Sequence, residues 1–449
     1  MQDLTPKSPK RCFYDIHCHM MNLSHPNILA FLGRVDLRLA ILAGSFIGPL
    51  VTLFAGERIK KILNLLAVME NDAANLFLLL EYSLKAWETA DGRPPPIRDG
   101  KLILGGTPYD RLVLTPLMMD FGCKNIRAGS FYRIPPQKPI IEQVVDLFGG
   151  IAKYTHFELL ESSPGRHEIV ERKSPPLFEI YPFLGINTKN YTAAEVETLL
   201  QKYFSEYSGR PADLQTRFGA FDGDIDAMRS HWFAGIKVYP PLGFDPWPAE
   251  APDPDEPAKV RLLYRCCAEK RIPLTAHCSD RGFFVDPNGM QFTSPDRWRP
   301  VLEEFPALKL NLAHLGTQQN RKFGIFPRRG WQKRVFELIA AHENVYTDIS
   351  CCAFEDGFYE SLRKLLDGQP PRTKERLLFG SDFMVNLLWS DSYNDYLTHF
   401  GDTAHIPDAD RDLFCRENPE RFLFHQEICF SPPIFENSKV SRNQHNDNL

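Results

Sequence analysis

The stretch AGIKVYPP at residues 234–241 opens the part of the sequence that decides the fold. This short, apolar, β-rich run is followed by the helical stretch PAKVRLLYRCCAEKR (257–271) and by a second run, IPLTAHCS (272–279). Strands that alternate with helices predict parallel βαβ units, because a parallel partner strand needs a crossover connection. The sequence from residue 234 onward therefore predicts an α/β protein with a parallel sheet.

The same alternation extends in both directions from this stretch. Six further runs bring the number of predicted strands to eight: RCFYDIHCHM (11–20), RLVLTPLMMD (111–120), LFEIYPFLGIN (177–187), LKLNLAHLG (308–316), NVYTDIS (344–350) and RLLFGSDFMV (376–385). Predicted helices precede the last three runs, at 294–306 with Ser294 or Asp296 as the cap, at 329–343 and at 359–368. Eight such units predict a (β/α)₈ TIM barrel.

Two insertions separate the early strands. The segment 21–110 follows the first strand and is predicted to be mostly helical, and 121–176 follows the second and is predicted to hold loops and one short helix around IEQVVDLFGGIAKY. Without them, the predicted strands and helices approach the size of one barrel. We therefore predict a single domain over 11–425, followed by a polar tail at 430–449.

Composition limits the classes of function. The 449 residues include 52 basic and 57 acidic side chains, for a net charge of −5, which does not favour nucleic-acid phosphates. Ten cysteines without a predicted leader peptide or zinc-finger spacing favour a reduced, cytoplasmic setting. The uncharged stretch LAILAGSFIGPLVTLFAG (39–56) predicts a buried or partner-facing helical hairpin, consistent with a homo-oligomer, with a membrane contact as the alternative.

Side chains that can bind a metal close several of the predicted strands. His17 and His19 lie at i and i+2 on the first run, so both imidazoles leave the same face. The later runs end in Lys237, His277, His314 and Asp382. Taken singly, each residue has an ordinary reading as a polar strand end, a core histidine or a turn cap. Together they predict a metal site, because the carboxyl ends of barrel strands meet at one face.

This pattern resembles the amidohydrolase superfamily of metal-dependent barrels, and in particular its amidohydrolase-related branch of hydrolases and decarboxylases. DIHCH (15–19) is similar to the HxH signature of the first strand, and the histidines of TAHCS and LAHLG to those of strands five and six. The aspartate of FGSDF is similar to that of strand eight. ENPERFLF (417–424) resembles the closing helix of the branch.

The resemblance implies a role for each matched residue. His17, His19, His277 and Asp382 would hold the principal divalent metal, usually zinc, and Asp382 would also transfer protons. His314 would bind a second metal or donate to the transition state. GIKVYPP is similar to a segment in which a carbamylated lysine bridges two metals, so Lys237 is either carbamylated between two ions, or neutral, or turned away.

Weaker candidates come from the residues alone. Arg281 and Tyr239 could contact substrate, and so could Asp120 and Asn187 at the ends of the second and third runs. Asp348, which closes the seventh run, is read as a hydrogen-bond anchor for neighbouring loops, and Cys18 as a core residue.

The predicted function is a hydrolase that uses a metal-activated water on a C–N or C–O bond. Its substrate would be a small carbonyl compound: a cyclic amide, amide, lactone or ester. The alternatives are a metal-dependent decarboxylase of an aromatic or muconate-type acid, and a catalytically silent binding barrel.

Overall fold

The computed structural model describes residues 11–26, 57–89, 92–122, 140–215, 220–249, 251–284, 288–322, 326–328 and 330–425. The predicted hairpin at 39–56 and the predicted tail at 430–449 lie outside these residues. Within the described chain, no helix is both long enough and apolar enough to cross a membrane.

Sixteen strands form in the described residues. They are β1 (Cys12–Cys18), β2 (Ile97–Arg98), β3 (Lys101–Leu104), β4 (Thr107–Tyr109), β5 (Arg111–Pro116), β6 (Phe157–Ser163), β7 (Arg166–Glu171), β8 (Phe178–Ile180), β9 (Phe183–Gly185), β10 (Gly235–Val238), β11 (Leu274–Ala276), β12 (Leu310–Leu312), β13 (Gln318–Lys322), β14 (Phe326–Arg328), β15 (Val345–Asp348) and β16 (Leu377–Leu378).

Fourteen α-helices accompany them in the same part of the chain. They are α1 (Glu57–Met69), α2 (Ala73–Ala86), α3 (Ile140–His156), α4 (Ala193–Phe204), α5 (Pro211–Gln215), α6 (Glu256–Lys270), α7 (Gly289–Phe292), α8 (Arg299–Glu304), α9 (Gly330–Ala341), α10 (Asp356–Asp367), α11 (Pro371–Lys374), α12 (Tyr393–Asp402), α13 (Asp408–Asp412) and α14 (Asn418–Leu423). The helices expected between the later strands are α6, α8, α9 and α10. Ser294, rather than Asp296, caps the turn that leads into α8.

The parallel strands follow one another around a ring. One sheet has the order β1-β5-β8 and the other the order β16-β15-β12-β11-β10-β9. Isolated parallel bridges join them, from Leu117 to Phe183 on one side and from Cys18 to Phe383 on the other. Because β8 and β9 together form the third barrel strand, the ring has eight strands. The (β/α)₈ barrel prediction is confirmed.

Backbone hydrogen bonds join the first barrel strand, β1, to the segment that follows the last, β16, and we call this contact the seam. The Ile16 amide donates to the Phe379 carbonyl at 3.2 Å, and the Asp382 amide donates to the His17 carbonyl at 2.7 Å. The third barrel strand, predicted as one run over 177–187, is divided into β8 and β9 at Pro182, which has no amide hydrogen to donate to a neighbouring strand.

An aromatic core fills the lower half of the barrel. Tyr14, Tyr181 and Tyr346 point into a buried cluster that Phe422 and Phe424 complete from below. The Tyr181 and Phe424 rings lie 5.0 Å apart, and those of Tyr346 and Phe422 lie 5.2 Å apart. Helix α14 therefore closes the amino-terminal face of the barrel by burying its apolar side. Asn418 fixes the helix there by donating to the Lys374 and Leu377 carbonyls at 2.7 and 2.8 Å.

The insertions contain helices and, in addition, two antiparallel sheets that the sequence did not predict. Strands β2, β3 and β4 form one sheet, and β6 and β7 form a hairpin. A buried ion pair holds this region together: both guanidinium amino groups of Arg172 donate to Glu81, at 3.0 and 3.1 Å. Since Glu81 lies on α2, the pair ties the second insertion to the first.

Candidate metal centre and cavity

The predicted ligands lie at the carboxyl ends of the barrel strands. His17 is on β1, Lys237 is on β10, and Asp348 is the last residue of β15. His277 follows β11 directly, and His314 and Asp382 lie a few residues beyond β12 and β16. Parallel strands bring these ends to one face, so residues far apart in sequence become neighbours.

One cluster joins His17, His19 and Asp382. The Asp382 Oδ1 atom lies 3.1 Å from His19 Nε2 and 3.5 Å from His17 Nε2. Each histidine uses its other nitrogen elsewhere, His17 Nδ1 at 3.0 Å from Asp348 and His19 Nδ1 at 2.8 Å from the Leu117 carbonyl. Those acceptors fix the proton on Nδ1, so the two Nε2 lone pairs and the carboxylate face one another.

A second convergence involves His277 and His314. His277 Nδ1 lies 3.0 Å from His314 Nε2. The opposite nitrogens face carbonyl oxygens, those of Arg281 at 2.6 Å and Ser350 at 3.0 Å. Neutral rings in these tautomers would again oppose two lone pairs, which a shared proton or a cation relieves. Burial, together with the neighbouring His314 and Lys237, holds the pKa of His277 well below its usual value, which disfavours the proton.

These clusters fit a divalent cation such as zinc. Zinc prefers imidazole nitrogen and carboxylate oxygen, and atoms bonded to it tetrahedrally lie about 3.4 Å apart. The observed separations of 3.1 and 3.5 Å bracket that value. Burial and the charge of Lys237 lower the pKa of His17 to about 3, so its ring is neutral and ready to coordinate. His277 lies with His314 rather than within the His17, His19 and Asp382 group, whose ligand atoms lie within 4.8 Å of one another.

Asp348 organises the ligands from beneath. Its Oδ2 accepts from His17 Nδ1 at 3.0 Å and from Asn311 at 2.7 Å, and its Oδ1 accepts from the His314 amide at 3.0 Å. Burial opposes ionisation, but the His17 contacts and the His314 amide together hold the pKa of Asp348 well below its usual value. Asp348 is thus a hydrogen-bond anchor, as the sequence predicted, but its partners are the candidate ligand His17 and the backbone of His314.

Lys237 points into the same site from β10. It is buried, and its Nζ lies 3.4 Å from His17 Nε2. Burial lowers the pKa of Lys237 to about 8, although Asp348 and Asp382 favour the charged form. The lowered pKa makes the neutral amine easier to form, and carbamylation starts from that neutral amine.

The backbone is left-handed at two of these positions. His314 has φ 64° and Asp382 has φ 60°. Non-glycine residues rarely adopt this conformation, and where they do it tends to mark functional sites. The turns after β12 and β16 thus aim both side chains into the site.

A cavity of about 330 Å³ opens above the ligands. Its floor includes His17, His19, His277, His314 and Asp382. Its walls are largely apolar and aromatic, and are contributed by several loops and by the first insertion: Met21, Pro26, Ile62, Met119, Phe121, Phe283, Phe284, Met290, Leu388 and Trp389. The described part of the first insertion therefore covers the barrel mouth.

Two of the weaker candidates line this cavity. Tyr239 lies against His277, with ring centroids 4.8 Å apart, and its hydroxyl accepts from the Phe283 amide at 2.9 Å. Arg281 is exposed at the rim, and its guanidinium has no ion pair or hydrogen bond with the described residues.

A family model described as "Amidohydrolase" matches residues 155–424, more than half of the sequence. This chain belongs to the amidohydrolase family. His277, His314 and Asp382 lie inside the matched range, whereas His17 and His19 precede it. None of the curated proteins matches the sequence.

Solved structures similar to this amidohydrolase share little sequence with it. An uncharacterized TIM-barrel protein from Bordetella bronchiseptica is 12% identical, with TM-score 0.41, over 92% of this chain and 98% of that one. A putative metal-dependent hydrolase from Lactobacillus casei is 14% identical, with TM-score 0.38, over 92% and 95%. A dihydroorotase from Campylobacter jejuni is 12% identical, with TM-score 0.35, over 92% and 83%.

Asp120 and Asn187 lie outside the residues that line the cavity of this amidohydrolase. Asp120 accepts from the Asn187 amide at 3.0 Å, from Tyr191 at 2.8 Å and from Asn190 at 2.9 Å. Asn187 in turn donates to the Leu242 carbonyl at 3.2 Å. Asp120 and Asn187, which were predicted to contact substrate, instead form hydrogen bonds that hold the loops after the second and third barrel strands.

Ser350 and Asn311 take part in the site without having been predicted. Ser350 Oγ lies 3.0 Å from His17 Nδ1 and 2.9 Å from His314 Nδ1, and it donates to Asp348. Ser350 is two residues beyond Asp348 on the seventh run, which is the one sequence signal for it. Cys18 is buried in the core, as predicted.

Proposed function

We propose that this amidohydrolase is a zinc-dependent hydrolase that uses a metal-activated water on a C–N or C–O bond of a small carbonyl compound. The proposal rests on the convergence of His17 Nε2, His19 Nε2 and Asp382 Oδ1. Both histidines donate from Nδ1 to other acceptors, so all three converging atoms offer lone pairs. Such a buried set of acceptors is stable with a cation among them. Cyclic amides, amides, lactones and esters are the substrate classes.

A divalent zinc ion bound here would lower the pKa of a coordinated water to about 7 and would polarise a substrate carbonyl. The chain supplies the rest. Burial raises the pKa of Asp382, but the contact with His19 and the neighbouring His17 and His314 outweigh it and hold that pKa below its usual range. Asp382 is therefore ionised at neutral pH and can accept the proton of the attacking water, then deliver it to the leaving group.

His314 acts beside this pair. In its neutral form, the proton on Nδ1 faces the Ser350 carbonyl, so Nε2 offers a lone pair toward His277 Nδ1. His277 and His314 would hold a second cation, and a carbamylated Lys237 would supply further oxygen ligands to it. As an imidazolium, His314 would instead donate to the developing oxyanion.

The cavity favours a substrate with an apolar body. Its walls bury hydrocarbon or aromatic surface, while the ligand face and Arg281 offer two polar ends. The Arg281 guanidinium is the specific observation that keeps a decarboxylase as the second candidate, because either reaction can use a carboxylate anchor.

The test is a comparison of metal content with turnover. The purified chain would be assayed for zinc and for activity on lactones, cyclic amides and aromatic acids, with and without added zinc and bicarbonate. Hydrolysis that scales with bound zinc supports the proposal, and a bicarbonate-dependent second equivalent supports carbamylated Lys237. Carbon dioxide release from an aromatic acid would assign the decarboxylase reaction instead. A fully metal-loaded chain that turns over none of these classes would support the silent barrel.

Replacement of His314 separates the two metal positions. We expect His314→Asn to slow turnover at least tenfold while one equivalent of metal stays bound, because His17, His19 and Asp382 remain in place. Metal analysis of the dialysed variant beside its kcat provides the measurement. Complete loss of bound metal would contradict this division of the ligands.

Arg281→Gln tests the anionic anchor. We expect KM for carboxylate-bearing substrates to rise about 10- to 100-fold, since a hydrogen bond to a charged group contributes about 1.5–3 kcal/mol. The backbone carbonyl that orients His277 is kept, so kcat should change little. Neutral ester analogues provide the internal comparison. Arg261→Gln, which alters an arginine paired with Glu304 outside the cavity-lining set, is the matched control. Equal KM increases for acid and ester would remove Arg281 from substrate recognition.

A further inference from the structure

The amino-terminal face of the barrel, opposite the metal ligands, carries a group of basic side chains that the proposed reaction does not use. Arg271 precedes β11, Lys309 precedes β12 and Arg376 precedes β16. Arg372 belongs to α11 and Arg421 to the closing helix α14. We call these five residues the basic patch.

The members of the basic patch bond mainly to backbone carbonyls. Arg376 donates to the carbonyls of Glu343 and Glu375 at 2.8 and 3.0 Å, and Arg421 donates to the Glu375 carbonyl at 3.4 Å. Lys309 Nζ donates to the Arg421 carbonyl at 3.1 Å. Carbonyl oxygens satisfy donors but leave the positive charges uncompensated.

Carboxylates are scarce around these groups. Glu375 lies 3.9 Å from Arg376, at the outer limit of an ion pair. Within the described residues, Arg271, Lys309, Arg372 and Arg421 form no ion pair. This contrasts with arginines elsewhere on the chain, such as Arg363, which lies 2.9 Å from Asp367.

Arg372 adds an independent observation. Its Nε and Nη2 atoms are buried and have no hydrogen-bond partner in the described chain. Buried guanidinium nitrogens nearly always have an acceptor, because leaving them without one forfeits their hydration. Two orphaned donors on one planar group match the two oxygens of an oxyanion.

The positive charges of the basic patch act on the pKa values of Lys309 and Tyr346. Burial lowers the pKa of Lys309 to about 7, and the charge of Arg271 lowers it further. Burial raises the pKa of Tyr346, but Arg376, Arg421, Arg271 and Arg372 all oppose that change. The Arg376 guanidinium carbon lies 5.1 Å from the centre of the Tyr346 ring. The charges thus share one locality around Tyr346.

We propose that the basic patch is a binding site for a phosphate-bearing small molecule. Guanidinium groups pair with phosphate through parallel hydrogen bonds, and an anion with two or more charges offsets several cations at once. The site lies at the amino-terminal face of the barrel, which α14 closes, whereas a phosphate attracted by the proposed metal would bind at the opposite face, where the cavity opens. Binding therefore has no need of the metal.

The experiment is calorimetric titration of the full-length, zinc-loaded chain with inorganic phosphate and with pyrophosphate, against chloride at matched ionic strength. We expect both phosphates to bind and to raise the melting temperature, pyrophosphate more strongly. Arg372→Gln and Arg271→Gln should each weaken pyrophosphate binding at least tenfold. Without the anion, these variants should melt at or above the wild-type temperature, because repulsion is relieved.

Two controls keep the outcome decisive. Arg363→Gln removes an arginine that is already paired, and it should bind pyrophosphate as the wild type does. Chelator-treated protein should retain binding, which separates the basic patch from phosphate coordination at the metal. Phosphate effects no larger than those of chloride, or unchanged affinity in Arg372→Gln and Arg271→Gln, would overturn the proposal. Loss of binding on chelation would assign it to the metal centre.

Discussion

Asp382→Asn is expected to lose about 10²- to 10⁴-fold in turnover while the chain stays folded. The range is what general acid–base assistance typically contributes, and weaker metal binding adds to the loss. The amide keeps an oxygen toward the site but cannot take a proton from the attacking water. Asparagine also tolerates the left-handed backbone at φ 60°, so the turn after β16 should survive.

The measurement pairs kcat with bound metal and the melting temperature. Asp120→Asn serves as the matched control. The Asp120 carboxylate is also buried and follows a neighbouring barrel strand, but it binds loop residues and does not line the cavity. That control should lower the melting temperature with turnover per folded molecule near the wild-type value. Near wild-type turnover of Asp382→Asn at full metal loading would end the proton-transfer role and the main argument for hydrolysis.

Asp348→Asn is expected to lower metal affinity about 10- to 100-fold, although Asp348 is not proposed to touch the metal. Partners that orient metal-ligand histidines typically contribute that much. The new amide group cannot accept from both His17 Nδ1 and the His314 amide, which approach the two carboxylate oxygens at 3.0 Å each. Turning the His17 ring to its other tautomer would place a hydrogen where the lone pair must coordinate.

Competition with a chelator gives the affinity, and thermal unfolding of the chelated protein gives the stability separately. Thr347→Val is the comparison, since it removes a buried hydrogen bond from the neighbouring residue to the Leu312 carbonyl without contacting a ligand. It should cost about 1 kcal/mol of stability and leave metal affinity unchanged. If both variants bind zinc as tightly as the wild type, Asp348 has a structural role alone.

The barrel strands were predictable because parallel strands buried on both faces appear as short apolar runs. The sheets at β2–β4 and β6–β7 were not. Strand β7, RHEIVE, is almost wholly exposed and polar, so no apolar alternation marks it. Proline fixed one detail, since Pro182 divides a run that the sequence presents as continuous.

The candidate metal-binding residues stand out in the sequence by their places at strand ends, whereas their supporting contacts do not. Asp348 and Asp120 look alike in sequence, as aspartates that close apolar runs. One lies under the histidines and the other binds loop residues Asn190 and Tyr191. That difference depends on how loops from separate strands pack. The same dependence hid the apolar cavity wall, whose residues come from loops and from the first insertion.

The seam between β1 and the segment after β16 has a consequence for assembly. Asp15 and Ser381, which hydrogen-bond across it, are 366 residues apart in sequence, and His17 and Asp382 lie beside them. A cation held by His17 and Asp382 would link the first barrel strand to the last. Ring closure over so long a chain carries a loop-entropy penalty, which the binding energy would help to offset. During synthesis, this link can form only after the eighth barrel strand has left the ribosome, so zinc binding would be among the last steps of folding. Zinc removal should then loosen the seam first, with faster amide exchange at Ile16 and Asp382 than elsewhere in the ring.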